Sequence, residues 1–195
     1  MRELKVAEFI SLDGVIQAPG GKDEDTDGGF VHGGWTHPYW HDEIGAYFFE
    51  AMSDCDAFLL GRKTWQGHGA AFEPLPEGDP FGDVMNSKRK YVVSTTLKSA
   101  SAWRNTTIIS GDVVEEVRKI KAQPGQNIYV DGSSVLVHTL ARHSLVDEYS
   151  LLVYPVVLGG GKRVFPAGYT TGLNLIETRA FPSGVVLMRY EPNKG

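Results

Sequence analysis

Cysteine is almost missing from this chain: Cys55 stands alone among 195 residues. No disulfide can form within it, so packing must hold the fold, and a reducing compartment suits such a sequence. Long apolar runs are missing too, none approaching the roughly 18 to 20 residues that cross a bilayer. The opening MRELKVAEFISLDG alternates rather than building a signal core, so a soluble, cytoplasmic protein is expected. Positive charge is in deficit, with a formal net charge of -5, which removes the electrostatic reason to seek nucleic acid or an acidic membrane. A small-molecule substrate fits better. Catalytic signatures are also lacking: there is no Gly-x-Ser-x-Gly elbow, no histidine–glutamate zinc helix and no Gly-x-x-x-x-Gly-Lys-Ser/Thr phosphate loop. Hydrolase chemistry therefore has no anchor here.

What the chain does contain is a 42% hydrophobic fraction with 11% aromatics, enough at this length for one well-packed domain. Its apolar runs are short and separated by turn residues. Leu4 to Leu12 alternates in part. Ala57 to Leu60, Tyr91 to Val93, Thr107 to Ser110 and Ile128 to Val130 are brief β-prone stretches, and the β-branched run Tyr149 to Leu158 predicts a buried strand. Between them, Ile44, Tyr47, Phe48 and Met52, the residues after Arg62, Val113 to Lys121, and Val135 to Leu145 carry helical spacing. Leu173 to Glu177 and Val185 to Tyr190 flank Phe181-Pro182-Ser183-Gly184 as a closing hairpin. Alternating strands and helices imply an α/β fold with a mostly parallel sheet.

Ligands of open α/β sheets gather beyond the carboxyl ends of the strands, and three of these ends carry phosphate-friendly residues. Gly61 leads into Arg62, Lys63 and Thr64 at a helix start, where free N–H groups and a guanidinium fork suit an anion. Tyr91 to Val93 leads into Ser94 and Thr95. Ile128 to Val130 leads into Asp131, Gly132, Ser133 and Ser134, with Val135 opening the next helix. The three groups can converge on one dinucleotide. Gly159, Gly160 and Gly161 before Lys162 let the backbone approach a ligand or another strand.

Residues 17–38 read as a solvated, mobile lid, acidic and glycine-rich from Lys22 to Gly29. Asp23, Asp25 and Asp27 alternate as in a calcium loop, but Gly34 stands where such a loop needs its glutamate. His37 and His41 fall four apart and could share a metal with His32 or Asp42 on a helix. Pro38 between them argues against that helix, and no metal is assigned.

The stretch LVDEYSLLVYPVVLGGGKRVF, residues 145–165, resembles the signature of the reductase domain at the C-terminus of bifunctional riboflavin-biosynthesis proteins, a family with the dihydrofolate reductase fold. Ser11 to Ile16 is similar to the first strand and turn of that fold, and Gly61-Arg62-Lys63-Thr64-Trp65 to its NADPH-phosphate motif. The resemblance implies a dihydrofolate reductase-like three-layer fold, with helices on both faces of a mostly parallel sheet that ends in an antiparallel C-terminal hairpin. It implies NADPH as cofactor, held by Arg62, Thr64, Ser94, Thr95, Gly132, Ser133, Ser134 and Val135, with Asp131 against the substrate and a homodimer as the assembly. Dihydrofolate reductases carry a pterin-binding carboxylate on the first helix, and ungapped alignment puts Gly45 there. That departure favours the riboflavin-pathway type, which reduces a ribosylaminopyrimidine phosphate, although the chain has no room for the deaminase often fused to it. Three readings stand: reduction of a small heterocyclic, carbonyl or imine substrate; a pterin reductase; and an NADPH-binding module without turnover.

Overall fold

The computed structural model describes residues 1–193. In chain order it forms β1 (Leu4–Ser11), α1 (Asp42–Ser53), β2 (Cys55–Gly61), α2 (Arg62–Phe72), α3 (Pro80–Ser87), β3 (Arg89–Val93), β4 (Thr106–Ile109), α4 (Val113–Ala122), β5 (Asn127–Asp131), α5 (Ser134–Arg142), β6 (Glu148–Tyr154), β7 (Leu173–Ala180) and β8 (Val186–Pro192). The sheet order is β4-β3-β2-β5-β1-β6-β8-β7. The first six strands are parallel, and β8 and then β7 continue the sheet antiparallel.

Period-two alternation assigns the two faces. Leu4, Val6 and Ile10 of β1 join Ile128 and Val130 of β5 against Val117 and Ile120 of α4 and Leu136, Val137 and Leu140 of α5. On the other face Ala7, Phe58, Leu60 and Tyr129 pack on Met52 of α1, Trp65 of α2 and Met85 of α3. Each fully buried aliphatic side chain contributes roughly 1.5 to 3 kcal/mol, so the three layers are held by the pattern that the strand sequences encode.

Two local expectations need correction, and one helix was not anticipated at all. The strand expected through Leu158 stops at Tyr154, because Pro155 has no N–H to donate and the Val156 N–H turns back on the Tyr154 carbonyl at 2.8 Å. Helix α3 fills a stretch that offered no strong apolar period. Its start was nonetheless encoded, since Asp79 caps the Gly82 N–H at 2.8 Å and Pro80 takes the first position. Residues 17–38 contain two short 3-10 turns, and they are not solvated throughout: Gln17, Ala18, Phe30, Trp35 and Thr36 are buried. The Trp35 indole N–H donates to the Gln17 carbonyl at 2.8 Å, which fixes the base of the segment beneath its exposed acidic tip.

Candidate functional site

Helices α1, α3 and α4 begin with side-chain caps from His41, Asp79 and Asp112, whereas α2 and α5 have no side-chain cap. These two open N-termini are tied together. The Gly61 N–H donates to Ser133 Oγ at 2.8 Å, and the Ser133 N–H donates to Thr64 Oγ1 at 3.1 Å. Gly132 and Ser133 take successive left-handed conformations, at φ 52° and 58°. Such a conformation costs roughly 1 to 3 kcal/mol for a non-glycine residue, and the two cross-links at Ser133 hold it. A Cβ at Gly132 would stand 3.1 Å from Thr64 Oγ1. First-turn amides have no partner within a helix, so the knot presents the N-terminal donors and positive dipole ends of two helices side by side.

Arg62 and Lys63 are exposed in the first turn of α2, with Arg62 Nη1 donating to Gln66 Oε1 at 3.1 Å and Lys63 paired to Asp27. Gly61 pairs with Val93 across β2 and β3, so Arg62 and Ser94 leave neighbouring strand ends roughly 4.8 Å apart. The Ser94 hydroxyl accepts the Thr96 and Leu97 N–H groups at 3.2 and 3.0 Å and shapes the turn, leaving Thr95 exposed. At the start of α5, Ser134 is buried and Val135 exposed.

Asp131 ends β5 just before the knot. Both its carboxylate oxygens meet His68 Nε2, at 3.0 and 2.9 Å. Burial opposes the His68 charge, yet the adjacent Asp131 carboxylate outweighs it and raises the imidazole above its ordinary range. On the opposite face of the sheet lies Glu8, 5% exposed. Its Oε2 accepts the Gly132 N–H at 3.0 Å, while Oε1 is buried with no partner among the described residues. Burial, reinforced by the Asp131 charge and opposed by the Gly132 hydrogen bond, pushes its carboxyl well above the usual range. Neither Glu8 nor His68 was identified from the sequence. The available signals were a carboxylate in phase with Val6 and Ile10 on an inward face of β1, and a histidine one helical turn beyond Thr64.

A hollow of about 440 Å³ opens between the 17–38 segment and the glycine loop, lined among others by Gln17, Asp27, Phe30, His32, Leu158 and Lys162. The Lys162 amine bonds Asp25 and, at 2.8 Å, Asp27, so the carboxylates that suggested a calcium loop hold a lysine instead. Asp13 accepts the Leu158 and Gly159 N–H groups at 3.1 and 2.8 Å. A hydrogen bond from Ser11 and these two amides lower its carboxyl to about 2. A larger hollow of about 580 Å³, lined by Asp56, Ser87, Arg89, Asn105, Thr106 and Thr107, sits toward the amino ends of β2 to β4, away from the strand ends that carry the knot.

His37 Nε2 meets the Gly20 carbonyl at 2.8 Å, His41 Nδ1 accepts the Glu43 N–H at 3.3 Å, and His32 packs edge-on to Phe30. The structure does not bring the three histidines to one metal-binding cluster. At Gly45 a Cβ would meet the Trp40 ring at 3.3 Å, so an indole occupies the space beside the helix position where a pterin-binding carboxylate would stand.

The family model of the RibD C-terminal domain matches residues 2–187. The Bacillus subtilis protein YyaP is 33% identical over 150 residues, covering 75% of this chain and 79% of that protein; YwjB of the same organism is 27% identical over 183 residues, covering 91% of each. Among solved structures, a riboflavin-biosynthesis candidate from Shewanella sp. PV-4 superposes with a TM-score of 0.76 at 20% identity, over 98% of this chain and 99% of that one. A pyrimidine reductase-like protein from Corynebacterium diphtheriae gives 0.67 at 13%, over 100% and 93%. Dihydrofolate reductase from Enterococcus faecalis, complexed with NADP(H) and RAB-propyl, gives 0.64 at 16%, over 98% and 97%. The fold is dihydrofolate reductase-like.

Proposed function

This chain belongs to the RibD C-terminal domain family, and we propose that it is an NADPH-dependent reductase of a small heterocyclic, carbonyl or imine substrate. The observation that carries the reading is the knot of Gly61, Thr64 and Ser133, which sets two uncapped helix N-termini beside Arg62. These donors fit a dinucleotide. Arg62, Ser94 and Thr95 would surround a 2′-phosphate, and Thr64 with Gly132 to Val135 would hold the pyrophosphate end. Bound NADPH would supply the hydride; the protein orients the acceptor and excludes water, which is positioning work. Asp131 is the substrate contact in this reading. Trp40 beside Gly45 weighs against a pterin and toward an aminopyrimidine-type acceptor, and the names of the Shewanella and Corynebacterium structures support the same direction. NADPH titration followed by an absorbance screen with aminopyrimidine, dihydrofolate and flavin acceptors tests it: acceptor-dependent oxidation is expected, and tight binding with no oxidation in any mixture would leave a binding module.

The partner in this reading is a second copy of the chain. Strand β7 is a sheet edge with Leu175 and Ile176 exposed, a surface that pairing would cover. Light scattering at micromolar concentration should give twice the chain mass, and a monomer mass refutes the dimer. The 17–38 segment acts in the same reading as a lid whose tip is clasped by Lys162 and Lys63 through Asp25 and Asp27. Asp27→Asn is expected to speed amide exchange across residues 22–29 while the melting temperature moves by no more than about 2 °C. Unchanged exchange would show that these ion pairs do not hold the tip.

A further inference from the structure

We propose that His68 is the general acid of this site: positioned by Asp131 through Nε2, it gives a proton from Nδ1 to the heteroatom of a C=O or C=N acceptor while hydride reaches the acceptor carbon. The proposal rests on the reductase reading above and names the proton donor which that reading lacks.

Three observations support it. The first is the placing of the dyad. Asp131 directly precedes Gly132, and His68 lies four residues beyond Thr64 on α2, so the pair is built on the same strand end and the same helix as the Gly61–Thr64–Ser133 knot. Four residues make about one helical turn, or roughly 6 Å. The second is the hydrogen bonding. Both Asp131 oxygens take up Nε2, which fixes the ring and its tautomer; among the described residues nothing bonds Nδ1, and the side chain is 25% exposed. The edges of Phe72 and Trp103, with ring centroids 5.6 and 6.3 Å away, hold the imidazole from the sides.

The third is the charge around the ring. Asp131 faces it from β5, and the Glu24 carboxylate of the 17–38 segment adds to the same field. Glu8 approaches Asp131 from β1, where burial first and then the Asp131 charge disfavour its charged form. Glu8 is itself a poor donor to substrate, because it faces the α4 and α5 side of the sheet and its free oxygen is enclosed. The field of Asp131 and Glu24 thus favours the imidazolium, the form that a general acid requires.

The step balances. Hydride adds two electrons to the acceptor carbon, the π pair moves to oxygen or nitrogen, and that atom takes the Nδ1 proton. The product is an alcohol or amine, the cofactor is left oxidised, and imidazole keeps its Nε2–H on Asp131 until solvent returns the Nδ1 proton. In this step Asp131 positions His68 through Nε2, and the substrate contact assigned to it above is made through that imidazole.

The test has one arm without cofactor. A proton NMR titration of the free protein should show the His68 ring titrating above an ordinary histidine, with Asp131→Asn returning it toward the ordinary range; an ordinary midpoint in the wild type overturns the dyad. In the second arm, His68→Gln should lower kcat for the best acceptor about a hundredfold or more. It should also abolish the fall in rate on the basic side of the pH profile, and leave the NADPH Kd within about twofold. Unchanged kcat and pH profile in His68→Gln overturn the acid while the reductase reading stands. NADPH that binds but is oxidised by no acceptor overturns both.

Discussion

Replacing Arg62 with alanine is expected to weaken NADPH binding about ten- to a hundredfold and to leave NADH binding almost unchanged. The two cofactors differ by the 2′-phosphate, and the proposed contact is with that group. Hydrogen bonds to charged groups contribute roughly 1.5 to 3 kcal/mol, and each 1.4 kcal/mol is about tenfold in Kd. Arg62 is exposed and, among the described residues, its side chain bonds only within its own helix, to Gln66. Its loss should therefore leave the sheet, the Gly61–Thr64–Ser133 knot and the melting temperature intact. A substitution that merely loosened the knot would weaken both cofactors alike, because the pyrophosphate end is common to them. Titrating wild type and Arg62→Ala with each cofactor separates the cases: equal losses, or a wild type that does not prefer NADPH, remove Arg62 from the site.

Lys90→Ala is expected to destabilise the fold by about 3 kcal/mol, with Lys90→Met within about 1.5 kcal/mol of wild type. Lys90 has no exposed surface. Its amine donates to the Asn86 carbonyl at 2.9 Å and the Arg104 carbonyl at 3.2 Å, and lies 4.6 Å from the centroid of the Trp103 ring. Alanine leaves a hollow below the indole and withdraws a donor from both carbonyls. Methionine fills the space, and the Asn86 carbonyl keeps the Asn105 Nδ2 donor at 2.9 Å.

The pH dependence has a definite sign. Burial pushes Lys90 down to about 8, with Glu73 opposing the shift and Arg104 reinforcing it, whereas an unfolded lysine titrates near 10.4. Between those values the unfolded chain binds more protons, so the Lys90 contribution to stability rises with pH and is lost again as pH falls to 8. The methionine variant lacks that rise. Denaturant unfolding at several pH values checks both claims: wild type should gain on Lys90→Met from pH 8 to 10, and parallel curves, or an alanine variant as stable as wild type, would refute the account.

How much of this was legible beforehand can be argued from particular residues. The strands from β1 to β5 and the helices after Gly61 and Ser133 follow from local periodicity and turn chemistry, which act over a few residues and survive in any environment. Arg62, Thr64, Gly132 and Ser133 were singled out as candidates in this way, because a strand end followed by a glycine and a helix start is a local event. The terminal hairpin was legible for the same reason.

Other features depended on which distant segments meet. Lys88, Arg89 and Lys90 are three successive basic residues, a pattern of a solvated surface, yet Lys90 is enclosed because α3 and the turn carrying Trp103 and Arg104 close over it. His68 and Asp131 are 63 residues apart, and Glu8 and Gly132 are 124 apart. They meet because the order β2-β5-β1 inserts β5 between two strands that precede it in the chain. The sequence by itself determined the strand–helix alternation, the buried face of each element and the anion-friendly strand ends, since these follow from side-chain period and backbone chemistry. The tertiary structure alone decided that Asp131 would be paired with an imidazole on one face and set against a buried carboxyl on the other, because charge and burial at a residue depend on the neighbours that chain crossovers bring to it.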